Sequence, residues 1–581
     1  MKNFKTKNIF TLIFILAVSA GVFGVEKALA AAENHYVTQN GAGQKNGSSS
    51  ANSWSVTDFN NAVNWNSAVN VDDNKIGPGD KVYFSGTITS RVLLKYSGSS
   101  GNPIIFDGYE AGDCDPLNDQ MYAATSLTGG MEKIGGESYI TVQDFEISGG
   151  SSNIPLVNMY DTSNLGYSHV IFRRNYVHDA YGTMAYWGSS SNTNKASYVT
   201  VQHNKMIGYG RSSDAVQGLN LARVNDVILS NNILAGTGSS KSTSDNVIEV
   251  HNLNRLLIES NDIYGAYKQA GIAIKENDPG VHDVIVRFNK MHDNGDSVEG
   301  RAMFIGYPAS DHVYVYGNNI YSNRNRGIDV TDGMNYLYIW SNLIRDHPAV
   351  GITTYYRTAA GAHLFIYNNT FTRNGTSVIG SDYPHSRTGL YLGDFRATDV
   401  NAKNNLFYNN RPNATTYSQV GIINGLTVNL EHNTYFYTGK TPTVYLYGDG
   451  AKTIPTLQSS YGLEDDLPAG EVADPGFTDF INGADNAYGT ADDNYRLDGT
   501  NVNDGASQGQ CFDVPIQGQS YHICTSDALD PRYTDWSKSP PTVVTANQNE
   551  HGSGWERGAY VYTGGNSDTI APALPGGFSV R

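Results

Sequence analysis

The sequence predicts an all-β fold, a parallel β-helix with a short helix capping its N-terminal end, and three observations predict it. First, strand-like segments repeatedly end in Asn followed by x-hydrophobic: RRNYV, QHNKM, SNNIL, ESNDI, RFNKM, YGNNI, WSNLI, NNTF, NNLF and HNTY. The marked residues are Asn175, Asn204, Asn231, Asn261, Asn289, Asn318, Asn342, Asn369, Asn405 and Asn433, at successive gaps of 29, 27, 30, 28, 29, 24, 27, 36 and 28. A sustained period of this length means a solenoid. Second, the units lack a helical period and carry Val, Ile and Tyr in short alternating runs, so they are strands. Third, only 16% of the 581 residues are charged, against 62 Gly and 39 Tyr. That composition excludes a disordered chain and does not suit a helical enzyme.

Three short strands and three turns make one unit. Asn is expected at a turn because it tolerates a left-handed backbone. Its amide can also bond the Asn one rung away, which makes an internal ladder. Asp144 in YITVQDFEI is expected at the same position one rung earlier.

In chain order, Lys2, Lys5 and Lys7 precede an apolar run from Ile9 to about Val22 and then Ala28-Leu29-Ala30. This is the pattern of a cleaved secretory signal, and it predicts a secreted, extracellular protein. Removing four Lys and one Glu with residues 1–30 carries the net charge from −17 to −20. Such a surface repels nucleic acid and anionic lipid, so neither is expected as a partner. An anionic polysaccharide is admitted only where a cation or local Arg and Lys reverse the field. Ser55-x-x-Asp58 resembles a capping box and predicts a short helix through Phe59, Ala62 and Val63. A helix over the first coil hides an open end that would otherwise aggregate, and a monomer is expected. Strands follow at Lys81–Phe84, after the turn Gly77-Pro78-Gly79-Asp80, and at Asn102–Phe106.

Past Asn433 the period fades. The loop 484–493 carries hard oxygen ligands of the kind Ca²⁺ uses, although a solvated surface loop reads the same way. Cys511 and Cys524 are close enough in sequence to pair in an oxidising compartment, leaving Cys114 over. The expected organisation is a signal over 1–30, a cap and first coils over 31–130, repeats over 131–440, C-terminal coils and a cap over 441–565, and a linker over 566–581.

The densest chemistry lies on four consecutive strands, SDNVIEVHN, AGIAIKEN, RAMFIGY and RGIDVTD. Aligning their apolar residues stacks Ile248 and Val250 over Ile272 and Ile274, then Met303 and Ile305, then Ile328 and Val330. Side chains alternate along a strand. The outward set is therefore Glu249 and His251, Ala273 and Lys275, Phe304 and Gly306, Asp329 and Thr331.

At this point the chain resembles the pectate lyase superfamily of secreted right-handed β-helix proteins. YVTQNGAG, GPGDKVYFSGTI and SGNPIIFDGYEAGD look like the shared opening of that superfamily; ADPGF, YRLDGTNVNDGAS and GWERGAYVY look like its close. SDNVIEVHN and AGIAIKEN are similar to the calcium and catalytic-lysine rungs of family 9 pectate lyases. Asp245, Asn246 and Glu249 match positions one, two and five of that calcium motif, with Asp214 one rung earlier. The resemblance implies Ca²⁺ at Asp214, Asp245, Asn246 and Glu249. It also implies Lys275 as the base of a β-elimination on a uronic-acid polymer. Asn246 and Glu249 depart from the family's residue types, and Lys275 lies two residues from the Glu249 column.

In this chemistry calcium bridges protein and sugar carboxylates and stabilises the charge that develops at C5. Arg301 is expected to lower the pKa of Lys275 and to clamp the substrate carboxylate. His251 assists, or bonds Asp245. The rival enzyme is a glycoside hydrolase, which needs two carboxylates about 5–9.5 Å apart. Glu249 and Asp329 are three rungs apart, about 14 Å, and Asp332, which shares a rung with Asp329, falls in a turn. The non-enzymatic rival is a glycan-binding or adhesin-like surface protein that uses Tyr307, Tyr355, Tyr356 and Tyr391 as stacking platforms.

Overall fold

The computed structural model describes residues 32–464 apart from 71–72, 122–123, 151–153, 211–215, 237–244, 276–279, 297, 307–309, 332–334, 355–361, 377–386, 394–396, 412–417 and 424–425. Beyond them it describes 474–475, 477–479, 494–497, 509–530, 533–550, 555 and 557–560. The expected signal, the 484–493 loop and the linker lie outside the described residues.

The strands wind into a right-handed parallel β-helix. Among the described residues they form three long sheets of 15, 13 and 14 strands. Each coil gives one strand to each sheet, as Asn254–Glu259, Asp262–Tyr264 and Ala270–Ile274 do. Pairing is parallel until the chain turns back at Thr443–Leu446 against Gly450–Thr453. Alternation turns one side chain in two inward, and one apolar core runs from Val37 to Leu457.

Ser55 accepts from the Asp58 backbone N–H and donates its own N–H to the Asp58 carboxylate, both at 3.1 Å. The expected capping box is therefore present. The helix it starts is one turn, Val56–Phe59, with Val56 and Phe59 buried, and a 3₁₀ turn follows over Ala62–Asn64. Val63 is 65% exposed.

The Asn ladder lies between the first and second sheets. Asn261 shows its complete satisfaction. Its backbone N–H and its Nδ2 both donate to Asn289 Oδ1 at 3.0 Å. Nδ2 also reaches the Leu229 and Glu259 carbonyls. Its own Oδ1 accepts twice from Asn232. The rung one coil earlier is thus Asn232, not Asn231, and the gaps around it become 28 and 29. Asn231 holds the other role at this turn: the residue before each ladder position takes the left-handed conformation, with φ between 52° and 62° from Arg174 to His432. Division of labour explains the difference from expectation. One residue turns the chain; the next supplies the amide. Asp144 (φ 63°) is likewise a turning residue. Phe145 stands at the ladder position, where its N–H donates to Asn175 Oδ1 at 3.0 Å.

A second ladder lies between the second and third sheets, in the order Asn294, Asn323, His347, Asn374, Asn410 and Gln419. Glycines clear space for it: a Cβ on Gly327 would sit 2.8 Å from His347 Nε2. His347 is fully buried, and neither ring nitrogen has a hydrogen-bond partner of good geometry. Burial, opposed by the Asn323 and Ile320 backbones and reinforced by the Arg345 charge, pushes its pKa down from 6.5 to about 3.

The first ladder ends on Glu464. Its carboxylate accepts from Asn433 N–H and Nδ2 and from the Tyr435 hydroxyl. Burial raises its pKa from 4.5 to about 7 against those three bonds. The helix Ile454–Tyr461 sets Ile454 and Leu457 into the end of the core. The chain then returns along the outside. Cys511 and Cys524 are disulfide-bonded in a hairpin whose Val514, Ile516 and Ile523 cover Tyr314, Tyr316 and Trp340 of the first sheet. Cys114 is free and buried.

Two pH responses of opposite sign follow. Below pH 6.5 the unfolded chain protonates His347 and the folded chain does not, so this contribution to stability is lost as pH falls toward 3. His347→Asn should move the acid-unfolding midpoint, read by circular dichroism, to lower pH than wild type. Glu464 keeps its proton in the fold between about pH 4.5 and 7, so its contribution is full below 4.5. It falls by roughly 3 kcal/mol as pH rises through 7. The cost of Glu464→Gln in urea unfolding should be largest near pH 5 and smaller at pH 8; equal costs would refute this coupling.

Candidate active site

The third sheet carries the candidate site. Its register stacks Ile248, Ile272, Met303, Ile328 and Ile352 inward and Glu249, Ala273, Phe304, Asp329 and Thr353 outward. The column continues through Asn220 and Tyr186 on one side and Tyr391 on the other. This is the outward set that hydrophobic alignment predicts.

Glu249 points outward yet is 5% exposed. Its Oε1 meets His251 Nε2 at 2.6 Å. Its Oε2 accepts from Asn246 Nδ2 at 2.6 Å and pairs with Lys275 Nζ at 3.1 Å. Burial alone would raise the Glu249 pKa. The His251 bond and the Lys275 charge outweigh it and hold the pKa at about 2. The carboxylate is therefore ionised at neutral pH. Lys275 reaches it diagonally from the His251 column, because Ala273 takes the place directly beside Glu249. The bond to Glu249 assigns the proton of a neutral His251 ring to Nε2.

Three rungs from Glu249, Asp329 Oδ2 accepts from Arg301 and from Arg326 Nη1 at 2.9 Å. The Arg301 guanidinium lies 4.7 Å from the Phe304 ring centroid, an orientation that favours cation–π attraction. Arg301 Nε and Asp329 Oδ1 are buried with no hydrogen-bond partner among the described residues. On the other flank Tyr160 stacks on Tyr186 at 4.2 Å, and Arg223 donates to the Tyr160 hydroxyl.

The structure brings Asn246, Glu249, His251 and Lys275 together. It does not bring Arg301 to Lys275: Arg301 is level with Ala270, at the far end of the strand, and turns to Asp329. His251 bonds Glu249. Asp214, Tyr307, Asp332, Tyr355 and Tyr356 lie outside the described residues, and of Asp245 only the backbone is described. Tyr391 is 3% exposed. Arg326 escaped the sequence reading, although RAMFI and RGIDV place it level with Arg301.

Calcium takes six to eight oxygen donors. Asn246 turns its nitrogen to Glu249 and its oxygen to the Ala270 N–H. Both Glu249 oxygens are engaged, one of them by a cation. Asn246 and Glu249 are thus already engaged, while the carboxylates of Asp214 and Asp245, the other two expected ligands, lie outside what is described, and no step is routed through the ion.

A family model described as the right-handed β-helix region matches residues 212–382. The catalytic unit of a thermostable α-1,3-glucanase from Streptomyces thermodiastaticus is 15% identical, with 65% of this chain and 61% of that chain covered and a TM-score of 0.40. A mannuronic-acid-specific polysaccharide family 6 lyase from human gut microbiota is 12% identical, with 72% and 83% covered and a TM-score of 0.37. The pectate lyase Pel9A is 12% identical, with 84% and 96% covered and a TM-score of 0.32. The chain spans less than two thirds of the glucanase unit's length. No curated protein matches the sequence. These likenesses are of fold.

The Glu249 cluster makes an energetic prediction. Replacing the carboxylate by a neutral amide leaves Lys275 without its counter-charge, so Glu249→Gln should cost about 2–3 kcal/mol. A double-mutant cycle with Lys275→Met, read by urea unfolding, should return a coupling of about 1 kcal/mol or more.

Proposed function

We propose that the protein is a carbohydrate-active β-helix protein that cleaves a uronate-bearing polysaccharide by β-elimination on the outward face of the third sheet. One observation carries this reading: among the described residues the face is locally cationic on an acidic chain. Lys275, Arg301 and Arg326 outnumber Glu249 and Asp329 there, while the net charge of the chain is −17. That is the reversal of field an anionic polymer requires.

In this reading the ionised Glu249 holds Lys275 and His251 in fixed positions. Lys275, in its neutral form, takes the C5 proton. The C5–H electrons form a C4–C5 double bond, the C4–O bond breaks, and the leaving oxygen takes a proton from solvent water. Arg301, whose Nε–H lacks a protein partner among the described residues, offsets charge on a substrate carboxylate. Hydrolysis is less well supported. The register keeps Asp329 three rungs from Glu249, beyond the separation that paired carboxylates need.

Screening pectate, alginate and glycosaminoglycans, with and without chelator, tests the reading. Cleavage should raise absorbance near the ultraviolet edge on one uronate polymer, and Lys275→Ala should lower kcat on it by about a hundredfold or more. New reducing ends without that absorbance would show hydrolysis; binding without either would show a glycan-binding protein. Each overturns the proposal.

A further inference from the structure

We infer that Glu33, His35 and Asp80 form a binding site for a zinc-class divalent ion in the first coil, remote from the third-sheet site and independent of its chemistry. His35 lies on the strand Asn34–Thr38, which pairs with Trp54–Ser55 on one side and Lys81–Phe84 on the other. Strand alternation turns His35 and Val37 into the core, and His35 is 1% exposed.

A buried imidazole ordinarily bonds through its ring nitrogens. Neither nitrogen of His35 has a hydrogen-bond partner. Nε2 instead points between two carboxylates, 3.5 Å from Glu33 Oε2 and 3.5 Å from Asp80 Oδ2. A charge-assisted N–H···O bond would draw in to about 2.7–2.9 Å. A tetrahedral ion with bonds of about 2.0–2.1 Å holds its donors about 3.4 Å apart. The three donor atoms all lie within 4.8 Å of one another. The two His35–carboxylate distances are those of ligands around an ion.

The surroundings hold the donors in place. Asp80 Oδ1 accepts from the Glu33 N–H at 2.8 Å and Oδ2 from the Gly77 N–H at 2.7 Å. Glu33 Oε1 accepts from the Asn74 N–H at 3.4 Å. The His35 ring is stacked on Trp54 with centroids 5.0 Å apart. Such outer contacts orient ligands and tune their affinity. One imidazole with two carboxylates suits Zn²⁺, whereas Ca²⁺ calls for six or more oxygens. The Glu33 side chain is 16% exposed, which gives the ion a way in and leaves a fourth position for water. An ion here ties residues 33–35 to the GPGD turn and pins the first coil.

The test uses the full chain, stripped with a chelator and re-equilibrated with ZnCl₂ or CaCl₂. Metal analysis should return one Zn²⁺ per chain, with a rise in Tm of about 2 °C at saturating zinc and none with calcium. Glu33→Gln and His35→Phe, the latter keeping a ring on Trp54, should each abolish both. If His35→Phe does not fold, Glu33→Gln decides, because its side chain reaches the surface. Zinc uptake unchanged in Glu33→Gln, calcium binding as well as zinc, or no uptake by wild type would overturn the proposal; the last is the result expected of an imidazolium simply paired to two carboxylates.

Discussion

Everything in this molecule depends on the buried amide column that begins at Asn175. A coil that turns within one residue leaves backbone N–H and C=O groups inside a dry core, where each unmet group costs on the order of 1–3 kcal/mol. The ladder meets them. Each Asn closes its own turn through Nδ2 and donates both to a carbonyl of the coil before it and to the Asn of the coil after it, as Asn289 does with Arg287, Ile258 and Asn318. A slip of one residue would break every rung and turn the core face outward. The ladder thus fixes the register, and the register decides which side chains share the outer face.

The two ladders are not equal. The first is all Asn from Asn175 to Asn433, and only its end, Glu464, is ionisable. The second admits His347 and ends on Gln419, which returns a bond from Nε2 to the Asn410 carbonyl. A side chain without the amide's paired donor and acceptor breaks the relay. Asn294 bonds Asn323, and His347 takes up the column again only through its backbone N–H. The glycines beside this column, Gly271, Gly327, Gly351 and Gly389, have the same cause: a side chain at those positions would fill the space of the ladder.

Much of this was legible in the sequence, and what was not has physical reasons. A column of one residue type at a near-constant interval is a one-dimensional signal, so the fold and the outward set of Glu249, His251, Lys275 and Asp329 could be read from it. The place of Asn231 could not, because consecutive Asn residues in SNNIL fit both the turning role and the amide role. The second ladder was hidden by its change of residue type. The diagonal between Lys275 and Glu249 depends on side-chain reach, which no periodicity encodes. Arg301 was placed on the right rung but sent to the wrong partner, since an Arg follows the nearest buried carboxylate, here Asp329. Glu33 and Asp80 are joined only by the pairing of Asn34–Thr38 with Lys81–Phe84.

The same register explains why the candidate site takes the form of cations around buried carboxylates. Outward positions on a parallel sheet repeat every second residue and stack at about 4.8 Å between rungs. At that spacing an unrelieved row of like charges would be destabilising. Here Ala273 and Phe304 separate Glu249 from Asp329, and each carboxylate draws its own cations from strand ends, where the chain enters or leaves the sheet: Lys275 after one strand, Arg301 and Arg326 at the start of two others. Glu249, held ionised under such cover, cannot also serve as the protonated acid of a hydrolase. In the proposed reaction the proton carrier on this face is Lys275, and the group that meets the anion is Arg301, whose Nε has no partner among the described residues. Under the proposed reading, the cations among the described residues of this face neutralise substrate charge before a C–H bond is broken.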